Sequence, residues 1–379
     1  MRNEDINKLK KPYEQPTKSV FDRRFNSAIG ADIPSAENLA VEILNDFDPK
    51  NFGINWWMSL PTEERILISD YLYQCATTIE TNVAEAKLHF LEWLDAKKIN
   101  NEKVANTVSI NSRGEFSFMI PTPKTPYDEL HRKLEEMHIC GFFRAIGSSL
   151  DCLGGLIIGV LALPVGLRRS DIRKSENKLK NVLATGDQGS QIQIDFRDFF
   201  EDVKKSCGSK DWLEWADQYR NMYVHRGRRT IFQAVKAREV QIFNAYGQLI
   251  PRAELELHLA KFPDRSEIEA FIKSKDINLN EEAEITISGI FDSCRTLLET
   301  VCEKLLEIWI LRRNNPSLLE QPVKQWTDVI RECDFVGYDL KSIPLNTDLA
   351  YVNPILGRRM KASAVLDNQR SLWATSKWK

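Results

Sequence analysis

GFFRAIGSSLDCLGGLIIGVLALP, residues 141–164, is apolar on nearly every side except at Arg144 and Asp151. Within and just beyond it, 152–167 runs sixteen residues without a charge. A bilayer span needs roughly 20 apolar residues, and Arg144 and Asp151 flank the side on which this run would have to lengthen. The stretch therefore reads as a helix sealed inside a bundle of other helices. Its glycines at 141, 147, 154, 155 and 159 are places where neighbours can come close. Upstream, Thr125-Pro126-Tyr127-Asp128 has the form of a helix start: a capping hydroxyl, proline at the first helical position and an acid shortly after. One helix is expected from there to about 163, stopped by Pro164.

Its partners lie on both sides in the chain. From 66 to 94, Leu67, Tyr71, Cys75, Ile79, Ala86, Phe90 and Trp93 largely keep helical spacing. From 281 to 312, Ile287, Ile290, Cys294, Leu297, Val301, Leu305 and Ile308 form one apolar face. Shorter helices are expected over 35–47, 195–207 and 210–227, the last capped by Gly227, with a basic amphipathic stretch at 168–184 and a loop at 184–191. Alternation around Ser112-Arg113-Gly114 predicts a small β-hairpin, and 238–258 predicts a second with its turn at 244–247. The expected fold class is mainly α. The bundle covers 66–312, preceded by an N-terminal extension (1–65) with one short helix and followed by an irregular tail (313–379) that wraps it.

Bulk properties narrow the function. The formal net charge is −2, so any surface for nucleic acid must be local. The seven cysteines form no CxxC pair and fall mostly in apolar helical stretches, where they read as small buried hydrophobes. The charged N-terminus lacks the apolar segment of a secretory signal, so a soluble, cytoplasmic protein is expected. No phosphate-binding glycine loop, nucleophile elbow or HExxH motif is present. His131, Glu135 and His138 could in principle meet a metal, but a surface position is expected for them, and no cofactor or metal is assigned.

Chemistry concentrates in YRNMYVHRGRR, residues 219–229. Asn221 and His225 stand at i and i+4, on one helical face. Arg220 lies about 140° round from His225, and its long side chain can reach the same cleft. Together they supply a titrating imidazole, a fixed cation and an orienting amide. Metal-independent RNA cleavage requires this set: a group that moves a proton as the 2′-hydroxyl attacks phosphorus, and a cation for the charge that develops on the phosphoryl oxygens. Arg226, Arg228 and Arg229 add positive charge suited to a phosphate backbone. Trp212, Trp215 and Tyr219 precede the motif as a stripe that reads as core rather than a stacking platform for bases. Asp151 and Arg144, two turns apart on one face, allow two readings. Either they form an internal ion pair or cap, or Asp151 orients Arg220 or His225. Tyr223 is grouped with them as a supporting residue.

RNxxxH followed by a basic, glycine-containing tail, late in a helical domain, resembles the HEPN superfamily. The resemblance spans about 66–312, and its specific signal is residues 220–225. It implies a helical bundle that dimerises so that two such motifs form one composite ribonuclease site, with Arg220, Asn221 and His225 as catalytic residues. It further implies RNA as substrate, a cyclic-phosphate product, and a toxin or antiphage role with an antitoxin or defence partner. The alternative is a non-catalytic HEPN-like module for dimerisation, nucleotide binding or partner docking, using apolar surface at 139–167 and 281–312.

Overall fold

The computed structural model describes residues 33–46, 62–107, 109–110, 116–117, 125–167, 170–225, 232–236, 241–246, 279 and 281–320. Among these the chain is mainly helical, with seven helices: α1 Pro34–Asp46, α2 Thr62–Ala105, α3 Pro126–Val160, α4 Ile172–Lys180, α5 Gln188–Ser206, α6 Trp212–His225 and α7 Ala283–Asn314. Two short antiparallel ladders accompany them. Ser109–Ile110 pairs with Phe116–Ser117, and Phe232–Lys236 pairs with Gln241–Ala245. The sequence expectation for 238–258 differs from this, because the strand at 241–245 takes its partner from the segment before it. Residues 247–258 lie outside the described residues.

The contacts group the chain into two units. One takes Thr81–Ser148 and Lys204–Leu297; the other takes Ile33–Glu80, Ser149–Val203 and the residues from Leu298 on. The sequence divides the chain in order, whereas the packing draws α2, α3 and α7 into both units. The short helix expected within the N-terminal extension, α1, packs on α7 in the second unit: Trp309 donates its indole N–H to Asp46 at 2.8 Å, and Ser35 donates to Glu299 at 2.7 Å. Of the tail expected from 313 onward, Leu318 and Leu319 are buried, and 321–379 lie outside the described residues.

The first unit is built on aromatic packing. Phe143 of α3 stacks on Tyr219 and Tyr223 of α6, with ring centroids 5.8 and 5.4 Å apart. Trp215 lies 3.9 Å from Tyr219, and Tyr246 meets the cluster edge-on. Rings of this size contribute about 0.5–1.5 kcal/mol per pair beyond the area they bury. That is enough to fix the rotation of α6 on α3, and hence which of its residues point away from the core.

In the second unit, Arg312 of α7 is fully buried and donates to the carbonyls of Gly159 (3.1 Å), Val160 (2.6 Å) and Leu319 (2.8 Å). Helix α3 thus ends against a cation that satisfies its last carbonyls. The window of α3 that could by composition cross a membrane is 78% buried within the protein.

Two helix limits differ from expectation. Helix α2 contains no proline or glycine and runs eleven residues beyond the expected end at Leu94. The pattern breaks at Lys97, whose charge suggests a solvent face. Yet Lys97 is only 3% exposed, pairs with Glu282 and Glu284 at 3.5 and 3.2 Å, and lies over the Trp93 ring. Helix α5 starts at Gln188, inside the expected loop. Asp187 caps it, accepting from the Ser190 amide at 2.7 Å and from the Thr185 hydroxyl, and these bonds hold its carboxyl down to about 2.

Candidate functional site

Helix α6 carries two unlike faces. Trp212, Trp215, Tyr219 and Tyr223 are all buried, so their rings belong to the core and no base can stack on them. Burial also pushes the Tyr223 phenol up from its ordinary value. Tyr223 is therefore a packing residue, and Cys140 Sγ donates to its carbonyl at 3.8 Å, tying the last turn of α6 to α3.

The second face gathers the polar residues. The Asp217 carboxylate, with its side chain 10% exposed, stands 3.7 Å from Arg220 Nη1, and its Oδ2 accepts from Asn221 Nδ2 at 3.3 Å. Arg220 and Asn221 are three and four residues after Asp217, the two spacings that bring side chains together on a helix. The sequence reading missed Asp217, although this spacing was the signal that could have found it. The aliphatic part of Arg220 lies directly on the backbone of α3. A Cβ at position 147 would stand 2.5 Å from Arg220 Nε and 2.7 Å from its Cδ, so only glycine leaves this seat open. Arg220 keeps a quarter of its side chain exposed, which leaves a partly desolvated guanidinium reachable from outside. Such a group can hold a phosphoryl oxygen.

His225 is the last residue of α6, so the helix is unbroken from Asp217 through His225. The side chain of His225 lies outside the described residues, as do Arg226, Arg228 and Arg229. Asp151 is half-buried on α3 within the second unit. Arg144 does not lie along its own helix toward Asp151. It reaches across to α2 and pairs with Glu85 Oε1 at 2.5 Å, with its side chain 61% exposed.

Arg144 belongs to another constellation. Glu85 Oε1 is 3.6 Å from His89 Nε2, and His89 Nδ1 faces His138 Nδ1 at 3.1 Å. One of these two nitrogens carries the proton and the other accepts it. Burial pushes both imidazoles below their ordinary value; Arg144 adds to this at His89, while Glu85 and Glu92 oppose it. The surface positions expected for His131, Glu135 and His138 are not what the structure has. His131 is buried, Glu135 bonds to the Asn100 amide with its carboxyl pushed up by burial, and His138 is half-buried against a histidine from α2. Among the described residues no three His, Cys, Asp or Glu side chains are arranged to hold a metal ion.

Compared with protein-family models, with curated proteins and with solved structures, the chain matches none.

Proposed function

We propose that this chain is a metal-independent RNA endonuclease of HEPN type, centred on Arg220, Asn221 and His225. The observation that carries the proposal is the Asp217–Arg220–Asn221 cluster, seated on Gly147 at the end of a helix whose other face is locked into an aromatic core. A cation held in this way needs little reorganisation when charge develops on a phosphoryl group, which is the largest single source of such catalysis. In this reading His225 moves the proton to or from the ribose 2′-hydroxyl and the leaving 5′-oxygen. Arg220 stabilises the phosphorane oxygens, Asn221 orients the phosphate, and Arg226, Arg228 and Arg229 bind the RNA backbone. The 2′-oxygen forms a bond to phosphorus as the bond to the 5′-oxygen breaks, leaving a 2′,3′-cyclic phosphate.

Two protomers are proposed to bring their motifs together, with the small hairpins as accessories to the bundle. A toxin or antiphage effector in the cytoplasm, with an antitoxin or defence partner, is the biological setting that this reading implies. The docking-module alternative relied on the apolar faces of 139–167 and 281–312. Phe142, Phe143, Leu153, Ile157, Leu297 and Leu305 of those segments are buried inside the chain, while Ile285, Ile310 and Leu311 of α7 stay exposed.

The test is RNA cleavage by the full chain and by Arg220→Ala and His225→Ala. Both variants are expected to lose at least a hundredfold in rate with unchanged circular dichroism. A folded Arg220→Ala protein that cleaves like the wild type overturns the proposal.

A further inference from the structure

Two thiols on different helices of the second unit meet. Cys75 of α2 and Cys152 of α3 share a side-chain hydrogen bond, and Cys75 also bonds to the Tyr71 hydroxyl. The position of Cys75 is fixed independently by its packing. Its sulfur would lie 3.1 Å from a Cβ at Gly155, three residues and so one turn along α3 from Cys152. The neighbouring Ser170 Oγ, also 3.1 Å from that Cβ, meets the Tyr71 hydroxyl at 3.3 Å, so polar groups bracket the pair.

The other thiols of the described residues are placed differently. Cys140 and Cys207 each donate to a backbone carbonyl at 3.8 Å, while Cys294 and Cys302 are fully buried. Cys75 and Cys152 also differ from each other. Cys75 is 5% exposed, whereas Cys152 is only half-buried. Cys152 is thus the sulfur that a small oxidant from solvent reaches first, and the sealed one sits beside it.

We infer that Cys75 and Cys152 form a peroxide-driven, reversible disulfide that links α2 to α3. The Cys152 thiolate attacks one oxygen of hydrogen peroxide. The O–O bond breaks, hydroxide leaves and takes up a proton as water, and Cys152 becomes a sulfenic acid. The Cys75 sulfur then attacks the Cys152 sulfur and the S–O bond breaks, releasing a second water. Two thiols have lost two electrons, and the peroxide has been reduced to two waters.

The experiment uses the reduced full chain, treated with hydrogen peroxide while folded, then denatured, alkylated and digested with trypsin. Cleavage after Arg65, Lys87, Arg144 and Arg168 places the two cysteines in peptides 66–87 and 145–168. The expected product is these two peptides joined, lighter by two hydrogens than their sum and separated by dithiothreitol. In Cys75→Ala, dimedone should label Cys152 as the sulfenic acid; in Cys152→Ala, Cys75 should stay an alkylatable thiol. The inference is overturned if both thiols remain alkylatable in the folded wild type, or if Cys152 passes to sulfinic acid without linkage. It is equally overturned if the linkage forms only after unfolding.

Discussion

Gly147→Ala separates the proposed chemistry from the fold. The added Cβ would stand 2.5, 2.7 and 2.9 Å from Nε, Cδ and Cγ of Arg220, well inside ordinary carbon contact, so the guanidinium must swing off its seat. Three stability effects compete. Replacing glycine by alanine inside a helix contributes about 0.8–1.0 kcal/mol. Giving up the partly exposed Arg220–Asp217 pair costs up to about 1 kcal/mol. Residual crowding costs about 1 kcal/mol where a flexible side chain can move away. The sum is a net destabilisation of about 1 kcal/mol, a small shift in a urea midpoint. Catalysis should respond far more strongly, because misplacing a charge-stabilising group by about 1 Å can cost on the order of a hundredfold, or about 2.7 kcal/mol of barrier. The assay is single-turnover cleavage of a labelled RNA by wild type and variant, alongside urea unfolding of both. Cleavage within about threefold of wild type by a folded variant would refute the reasoning, since Arg220 would not need the seat that Gly147 leaves. A loss of stability large enough to unfold the chain would refute the accounting of the competing effects.

Other consequences are open to measurement. Asp217→Asn keeps the hydrogen bond from Asn221 but removes the charge facing Arg220, so cleavage should fall about tenfold with a stability loss of about 1 kcal/mol; unchanged cleavage would show that Asp217 only caps local structure. Arg312→Met removes the buried guanidinium that donates to the carbonyls of Gly159, Val160 and Leu319 and should cost about 2–4 kcal/mol in urea unfolding; a neutral result would mean the chain rearranges to satisfy them. The His89–His138 pair gives stability a pH dependence. Both imidazoles are depressed below 6.5 in the folded chain, so between the folded value and 6.5 the unfolded chain binds more protons. The contribution is complete above 6.5 and is lost as pH falls through the folded value, because burial disfavours the charged imidazoles and, at His138, the neighbouring His89 does so too. Urea midpoints should therefore drop between roughly pH 7 and pH 5, and His138→Gln should flatten that slope.

Much of the helical framework was legible because burial leaves a periodic trace. The apolar run of α3, the single apolar face of α7 and the tryptophan–tyrosine stripe of α6 each give helical spacing that packing then uses. The exceptions share a physical cause: a residue whose partner is remote in sequence. Lys97 breaks the pattern of α2, yet glutamates from 282 and 284 and the Trp93 ring accommodate its charge. The start of α5 looks like a loop until Asp187 is seen capping it. The strand at 241–245 pairs backwards with 232–236, a choice that alternation alone does not determine. At the site, Asp217 is legible from helical spacing, since it stands three and four residues before Arg220 and Asn221, once acids are searched upstream of the arginine. The seat at Gly147 and the meeting of His89 with His138, forty-nine residues apart, depend on how α2, α3 and α6 pack. No local pattern reports that packing.

The most direct test is the chemistry of the RNA ends. Full-length protein incubated with RNA in EDTA should cleave it and leave 2′,3′-cyclic phosphates opposite 5′-hydroxyls, with neither product formed by His225→Ala. Cleavage that requires a divalent metal, or that leaves 5′-phosphates, would contradict the account.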